Sequence, residues 1–319
     1  MRHQALRIGL VTAAAVALVS AGGAVALGSA PTPATGHVHL LPTRQVVEHA
    51  KSALGVSTGC LGTGSPGCAP VPLQYNGGAV EATGTTSYVV FWEPTGSTVS
   101  PSYNSLITRF FSDIGGSSLY GVASQYYQGS NQQHIVNSSH LGGTWVDTSA
   151  YPSASLSDAD IQNEAVKAIN QNSWTKGIGA QVFVFLAKGQ NQCQSSGTCS
   201  FSTYCAYHGD FSSGGATVLY ASMPYAGTNL SACGTQGAAS PNNDQDADAE
   251  MSITSHELME TVTDPQLDAW YDLTGSEIGD KCAYDYGSTA ANGSNITMNG
   301  HPYILQREFS NAMLGCSLS

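Results

Sequence analysis

His256 and Glu260 stand four residues apart, with Glu257 between them, in the run Ser255-His256-Glu257-Leu258-Met259-Glu260. On a helix, side chains at that spacing share one face. In the zinc-hydrolase pattern H-E-x-x-H, two such side chains grip a metal, and the intervening Glu acts on the metal-bound water. Here a carboxylate stands in place of the second imidazole. A carboxylate oxygen also binds Zn2+, at about 2.0–2.2 Å. The expected roles are His256 and Glu260 as metal ligands and Glu257 as general base. The competing reading is a charged, solvated face on a helix that packs by its other side.

A tetrahedral centre needs a third protein ligand. Asp264, Asp268, Asp272, Glu277 and Asp280 all follow the helix. Asp280 is the first choice, because its distance along the chain lets a loop or second helix return to the site. Glu277 is second and Asp264 third, with His208 and His301 as more distant candidates. Zn2+ held by His256, Glu260 and Asp280 is close to neutral. A site with two histidines and one carboxylate keeps a positive charge. The lower charge makes bound water less acidic. An oxygen-rich set also shifts preference towards harder ions such as Ca2+ or Mn2+. The expected cofactor is a divalent cation, zinc first, with calcium as the alternative.

The run Asn243–Glu250 begins like a calcium loop, with alternating acids from Asp244. Ala249 and Ser255 stand where such a loop needs its Gly and closing Glu. Acids that complement the dipole at a helix start are the favoured reading.

These side chains need elements to carry them. Asp246–Val262 reads as one helix with an apolar stripe of Ala247, Met251, Leu258 and Val262. Ser87–Trp92 and Gln181–Ala187 read as buried strands, and Thr217–Met223 as a strand stopped by Pro224. Tyr103–Ile114, Leu119–Tyr127 and Asp158–Asn170 read as helices, the last with Ser157 as its N-cap. Cys193–Gly215 reads as a Gly/Ser/Cys loop region. Strands alternating with helices predict an α/β layered domain.

The chain has 319 residues and 41% hydrophobic content, enough for a sizeable core. Charged residues are only 10%, against roughly 25% in ordinary soluble domains. With 10 basic and 22 acidic residues the net charge is -12. That argues against nucleic acid and anionic membrane surfaces as partners and suits divalent cations or basic partners. Arg2, His3 and Arg7 precede an apolar run, Ile8–Leu27, closed by Gly28-Ser29-Ala30. This predicts a signal peptide over residues 1–30, export, and no stable membrane insertion after cleavage. Residues 31–72 read as a Pro/Gly-rich spacer with a short helix near Gln45–Leu54, and 73–319 as the folded domain. A G-x-G-x-x-G match at Gly62–Gly67 contains Pro66 and follows no strand, so it reads as a turn between Cys60 and Cys68. Eight cysteines predict a disulfide framework. Proximity pairs Cys60 with Cys68 and Cys282 with Cys316, and leaves Cys193, Cys199, Cys205 and Cys233 open.

Taken together, Ser255-His256-Glu257-Leu258-Met259-Glu260-Thr261, Thr263-Asp264-Pro265, Ala269-Trp270-Tyr271-Asp272 and Glu277-Ile278-Gly279-Asp280-Lys281-Cys282 resemble the EXORDIUM, or phosphate-induced, protein family. Tyr75-Asn76-Gly77-Gly78, the strand ending at Trp92 and Cys205-Ala206-Tyr207-His208 are similar to its other blocks. After Trp92, Glu93-Pro94 departs from the plant pattern. The resemblance implies an exported, wall-associated protein and one site built from His256, Glu257, Glu260 and Asp280. The arrangement is also similar to a zincin-like layered sheet-and-helix domain with disulfide-stapled loops, an analogy of fold.

Two functions follow as expectations. The first is a secreted metallohydrolase acting on peptides, with Thr217–Met223 as an edge strand that takes an extended substrate by β-addition. The second is a non-catalytic extracellular or cell-wall-associated protein with a structural cation site. In it, exposed aromatics among Tyr126, Tyr127, Trp145 and Trp270 would stack on the sugars of a wall polymer, with core packing the favoured reading for any single one.

Overall fold

The computed structural model describes residues 37–53 and 71–319. The expected signal peptide, the glycine-rich match and the Cys60–Cys68 pairing lie outside the described residues. Six strands form the main sheet: β1 (His37–Pro42), β2 (Thr85–Trp92), β3 (Ser139–Asp147), β4 (Ala180–Leu186), β5 (Tyr204–Ser213) and β6 (Ala216–Met223). Their order is β1-β5-β6-β4-β2-β3. β6, β4, β2 and β3 are parallel neighbours. β5 pairs antiparallel with β6, and β1 antiparallel with β5. The longer helices are α1 (Arg44–Ala53), α2 (Tyr103–Asp113), α3 (Asp158–Asn172) and α4 (Gln245–Thr263).

β2 and β4 are apolar at successive positions because both sheet faces are covered. Val89, Phe91, Phe183 and Phe185 pack with Phe110 and Phe111 of α2 and Leu258 and Val262 of α4. Tyr88, Val90, Val182 and Val184 pack on the other face with Ile161, Ala165 and Ile169 of α3. The result is the expected mixed α/β layering. Ser157 caps α3 in a reciprocal capping box with Asp160. Asp244 caps α4 by accepting from Ala247 N. Asp246 accepts from Lys188 Nζ at 3.0 Å, and Asp248 from Asn242 Nδ2 at 2.6 Å. The acidic run at the head of α4 is thus engaged in capping and side-chain bonds.

Four expectations need correction. Leu119–Tyr127 is not one helix: a single turn, Ser118–Gly121, runs into a 3-10 turn, Val122–Gln125, and then a two-residue strand. The tighter path takes Tyr126 into the core, where its hydroxyl donates to Phe309 O at 2.6 Å. Cys193–Gly215 contains β5 and a hairpin, Asn191–Ser195 with Thr198–Cys199. β5 has strands on both sides, and those ladder bonds outweigh its unpromising composition. Thr217–Met223 lies in β6, between β5 and β4, so it has no free edge for a peptide. Residues 37–42, expected within a spacer, are a strand of the main sheet.

The described cysteines pair as Cys193–Cys199, Cys205–Cys233 and Cys282–Cys316. The last is the expected pair, and the other two resolve the open set. The second ties the start of β5 to the short helix Leu230–Cys233 ahead of α4. Such bonds fit an oxidising compartment. Among the described residues, no helix is long and apolar enough to cross a membrane.

Candidate metal centre

From Ala247 to Thr263 every side chain of α4 is buried, His256, Glu257 and Glu260 among them. The solvated-face reading of the motif is therefore excluded. Charged side chains this deep require partners, and three parts of the chain supply them. β1 and β5 set His39 opposite His208 in their register, with ring centroids 5.8 Å apart. The segment after α4 returns with Glu277 and Asp280, the latter opening a short 3-10 turn.

The histidines and acids alternate around a closed ring. Glu260 Oε1 is 3.0 Å from His256 Nε2, and Glu260 Oε2 is 3.6 Å from His208 Nδ1. Glu277 Oε2 is 3.7 Å from His208 Nε2, and Glu277 Oε1 is 3.2 Å from His39 Nδ1. Asp280 Oδ2 is 2.7 Å from His39 Nε2, and Asp280 Oδ1 is 3.9 Å from His256 Nε2. Glu257 joins from the side, with Oε2 at 3.1 Å from His208 Nδ1. Backbone bonds fix the loop: Asp280 N donates to Glu260 Oε1 at 3.0 Å, and Glu277 N to Asp280 Oδ2 at 3.1 Å.

Much of the ring's bonding capacity is unmet. His208 Nε2, His256 Nε2, Glu257 Oε1, Glu260 Oε2 and Glu277 Oε2 are buried without a hydrogen-bond partner. His256 Nε2 is close to Glu260, but not along a hydrogen-bond direction. Orphaned buried polar atoms are rare and costly. Several converging on one place are what a cation would satisfy. Three groups have ligand atoms close enough to hold one: His256, Glu260 and Asp280; His208, Glu257 and Glu260; and His39, Glu260 and Glu277. Buried His, Glu and Asp side chains thus form groups that could hold a metal ion.

The electrostatics follow from depth and crowding. Burial, then the charges of Glu260 and Asp280, push the Glu257 carboxyl well above its ordinary range. Burial and the acids around it do the same to Glu277. Glu308, just behind with both oxygens unpartnered, is raised chiefly by burial. Burial, reinforced by His39 and His256, holds His208 well below the usual imidazole value. Burial also opposes a charge on His39, but Asp280 overcomes it and pushes His39 up to about 9. Lys281, the cation nearest in sequence, turns away to Asp272 at 2.8 Å.

Two neighbours set the pose of His256. A Cβ built on Gly279 would lie 2.5 Å from Nδ1, so only glycine lets the Glu277–Asp280 loop close on the ring. On the same edge, Gln306 Nε2 is 3.0 Å from His256 Nδ1. Gln306 Nε2 also donates to Gly279 O at 2.8 Å, and its Oε1 accepts from Tyr284 N at 3.0 Å. Those bonds fix the amide, so Nδ1 accepts and the proton of a neutral His256 ring sits on Nε2, facing Glu260.

Solvent reaches the ring at one edge. A groove of about 270 Å³ has His39 and Asp280 in its lining, between Val46 and Val47 of α1 and the loop Thr274–Ser276. The His39 and Asp280 side chains are 22% and 14% exposed, whereas His208, His256, Glu257 and Glu260 are sealed.

The expected site residues His256, Glu257, Glu260, Glu277 and Asp280 come together. Asp264 lies behind them and accepts from Asp268 N and Ala269 N, both at 2.7 Å. Asp272 belongs to Lys281, and His301 pairs with Asp113 at 2.7 Å, away from the ring. His208, a distant candidate in the sequence, is a full member. His39 is the member that sequence reasoning misses, because it falls in the expected spacer. Of the aromatics expected to stack on sugars, Tyr126 and Trp270 are buried and pack edge to face, with centroids 5.0 Å apart. Comparison of the chain with protein-family models, curated proteins and solved structures gives no match in any of the three.

Proposed function

We propose that the chain is an exported, zincin-like metallohydrolase acting on peptides, whose ring holds a divalent cation, zinc first, through His256, Glu260 and Asp280. The observation that carries this reading is the convergence of those three side chains with Glu257, all with buried, unpartnered atoms or close ion contacts. A bound dication supplies a polarised water and a Lewis acid at that point. Glu257 is the residue that takes the proton. Its Oε1 is free, while His208 holds Oε2 and so fixes the carboxyl's direction. Burial holds the Glu257 carboxyl well above the ordinary range, and a more basic carboxylate is a better acceptor for a proton that it then returns. The disulfides and the sequence of the first thirty residues support export, and the resemblance to the EXORDIUM family supports a wall-associated setting.

A second reading has its own support: a non-catalytic extracellular protein in which the ring holds a structural cation or shares protons. The Gln306 bond leaves a proton, not a lone pair, on His256 Nε2. Metal binding there requires the Gln306 amide to turn over. Glu257 is also sealed from the groove, so a peptide carbonyl reaches it only if the groove walls part.

Glu257→Gln decides between the two. The hydrolase reading expects the variant to keep its metal, measured by elemental analysis, and to lose cleavage of a peptide library about 100-fold or more, the lower range for a general base. Absence of wild-type cleavage with Zn2+, Mn2+ or Ca2+ supplied overturns the hydrolase and leaves the second reading standing.

A further inference from the structure

We propose that the ring takes two divalent cations that share Glu260, one held with His256 and Asp280 and the other with His39 and Glu277. The inference rests on the metal reading above and adds a second ion to it.

Glu260 lies within ligand reach of both sets. Its Oε1 is the atom near His256, while Oε2 is fully buried and without a hydrogen bond. A carboxylate has one oxygen for each ion, and paired cations in two-metal sites sit about 3.5–4 Å apart. One shared carboxylate between two ligand pairs is the arrangement such a pair needs.

The make-up of the cluster points the same way. Glu257, Glu260, Glu277 and Asp280 are the four acids of the cluster. Among the described residues, no Lys or Arg forms an ion pair with any of them. Four carboxyl groups and three imidazoles with no Lys or Arg partner among the described residues are a donor set for cations, and the mixed imidazole–carboxylate set suits Zn2+ or Mn2+.

The wiring of His39 also fits. Its Nε2 lies 2.7 Å from Asp280 Oδ2. When a cation takes the place of the Nδ1 proton, the ring still donates from Nε2 to Asp280 and turns its Nδ1 lone pair to the side of Glu277 Oε1, 3.2 Å away. An imidazole whose far N–H is held by a carboxylate is the usual outer arrangement of a metal-ligating histidine. Glu257 remains outside both ligand sets, held by His208.

The test is metal stoichiometry of the full secreted chain after equilibration with Zn2+ or Mn2+ and removal of excess. Two ions per chain are expected for the wild type, one for His39→Asn, and fewer than one for Glu260→Gln, with disulfides and far-UV spectrum checked for each variant. Mn2+ spin resonance of the wild type needs no variant: two ions on one carboxylate give a coupled, broadened signal. A single ion, or an isolated six-line Mn2+ signal, overturns the second site and leaves the one-metal reading intact. No bound ion overturns both. Two ions retained by folded His39→Asn overturn the assignment to His39.

Discussion

Gly279 lies against the imidazole of His256, so close that a methyl group on it would sit 2.5 Å from Nδ1 and 2.7 Å from Cε1. Its backbone φ of -77° is one any residue adopts, so the need for glycine comes from this contact alone. Gly279→Ala must therefore displace His256 or the loop that carries Asp280. The variant should lose at least tenfold in zinc affinity, as when a partner of a metal ligand is removed. Competition with a chromophoric chelator measures it, and unchanged affinity would mean that His256 holds no metal.

Gln306 makes the opposite prediction. A carboxylate there accepts from a His256 ring protonated on Nδ1 and frees the Nε2 lone pair. Gln306→Glu should raise zinc affinity roughly tenfold, within the range for such outer partners. It should also lower thermal stability, because the Gly279 carbonyl would face an acceptor. Weaker metal binding in a folded variant would contradict this account of the tautomer.

The pattern of what the sequence reveals follows from how local each signal is. α4 is legible because a cap, an acidic first turn, an apolar stripe and the His256–Glu260 spacing lie within twenty residues. β2 and β4 are legible because strands covered on both faces are apolar throughout. β1 and β5 are not. His37-Val38-His39-Leu40-Leu41-Pro42 is short, adjoins prolines and pairs with a strand more than 160 residues later. β5 lies in a Gly/Ser/Cys stretch whose composition suggests a loop. His39 and His208 become visible as site residues only once that ladder is formed. The usable hint is alternation: His37 and His39 flank Val38, as in a half-buried strand.

Glu250 gives a pH signature away from the ring. It is fully buried on α4, and burial pushes its carboxyl up to about 8, against the partly offsetting bond from Ala226 N. The folded chain therefore keeps a proton that the unfolded chain releases near pH 4.5. By linkage, stability falls as pH rises from about 4.5 towards 8. Glu250→Gln keeps an acceptor for Ala226 N and cannot ionise. It should flatten that fall and be more stable than the wild type at pH 8 by about 1–3 kcal/mol, each tenfold change in proton affinity being worth about 1.4 kcal/mol. Denaturant midpoints at pH 5 and pH 8 measure it, and parallel loss in both proteins would refute the assignment.

The Cys205–Cys233 bond closes a loop of 28 residues between β5 and the segment leading to α4. Replacing both by Ser should lower stability by about 2–4 kcal/mol. Because His208, whose ring nitrogens face the ligands Glu260 and Glu277, is three residues beyond Cys205, metal affinity should fall as well. The same replacement at Cys193 and Cys199, on a hairpin outside the ring, should leave affinity unchanged. Equal metal loss from both pairs would show a general effect of unfolding.

His39 comes from the opposite end of the chain to the acids it faces, on a strip that zips onto the sheet ahead of the region where composition first looks globular. A recombinant product trimmed to begin at residue 73, the boundary composition alone recommends, would lack one of the three imidazoles and leave β5 as a raw border. It would be prone to pair with whatever strand it met, including another copy of itself. Any assay that found such a shortened product inert would be reporting on a molecule with its centre cut open.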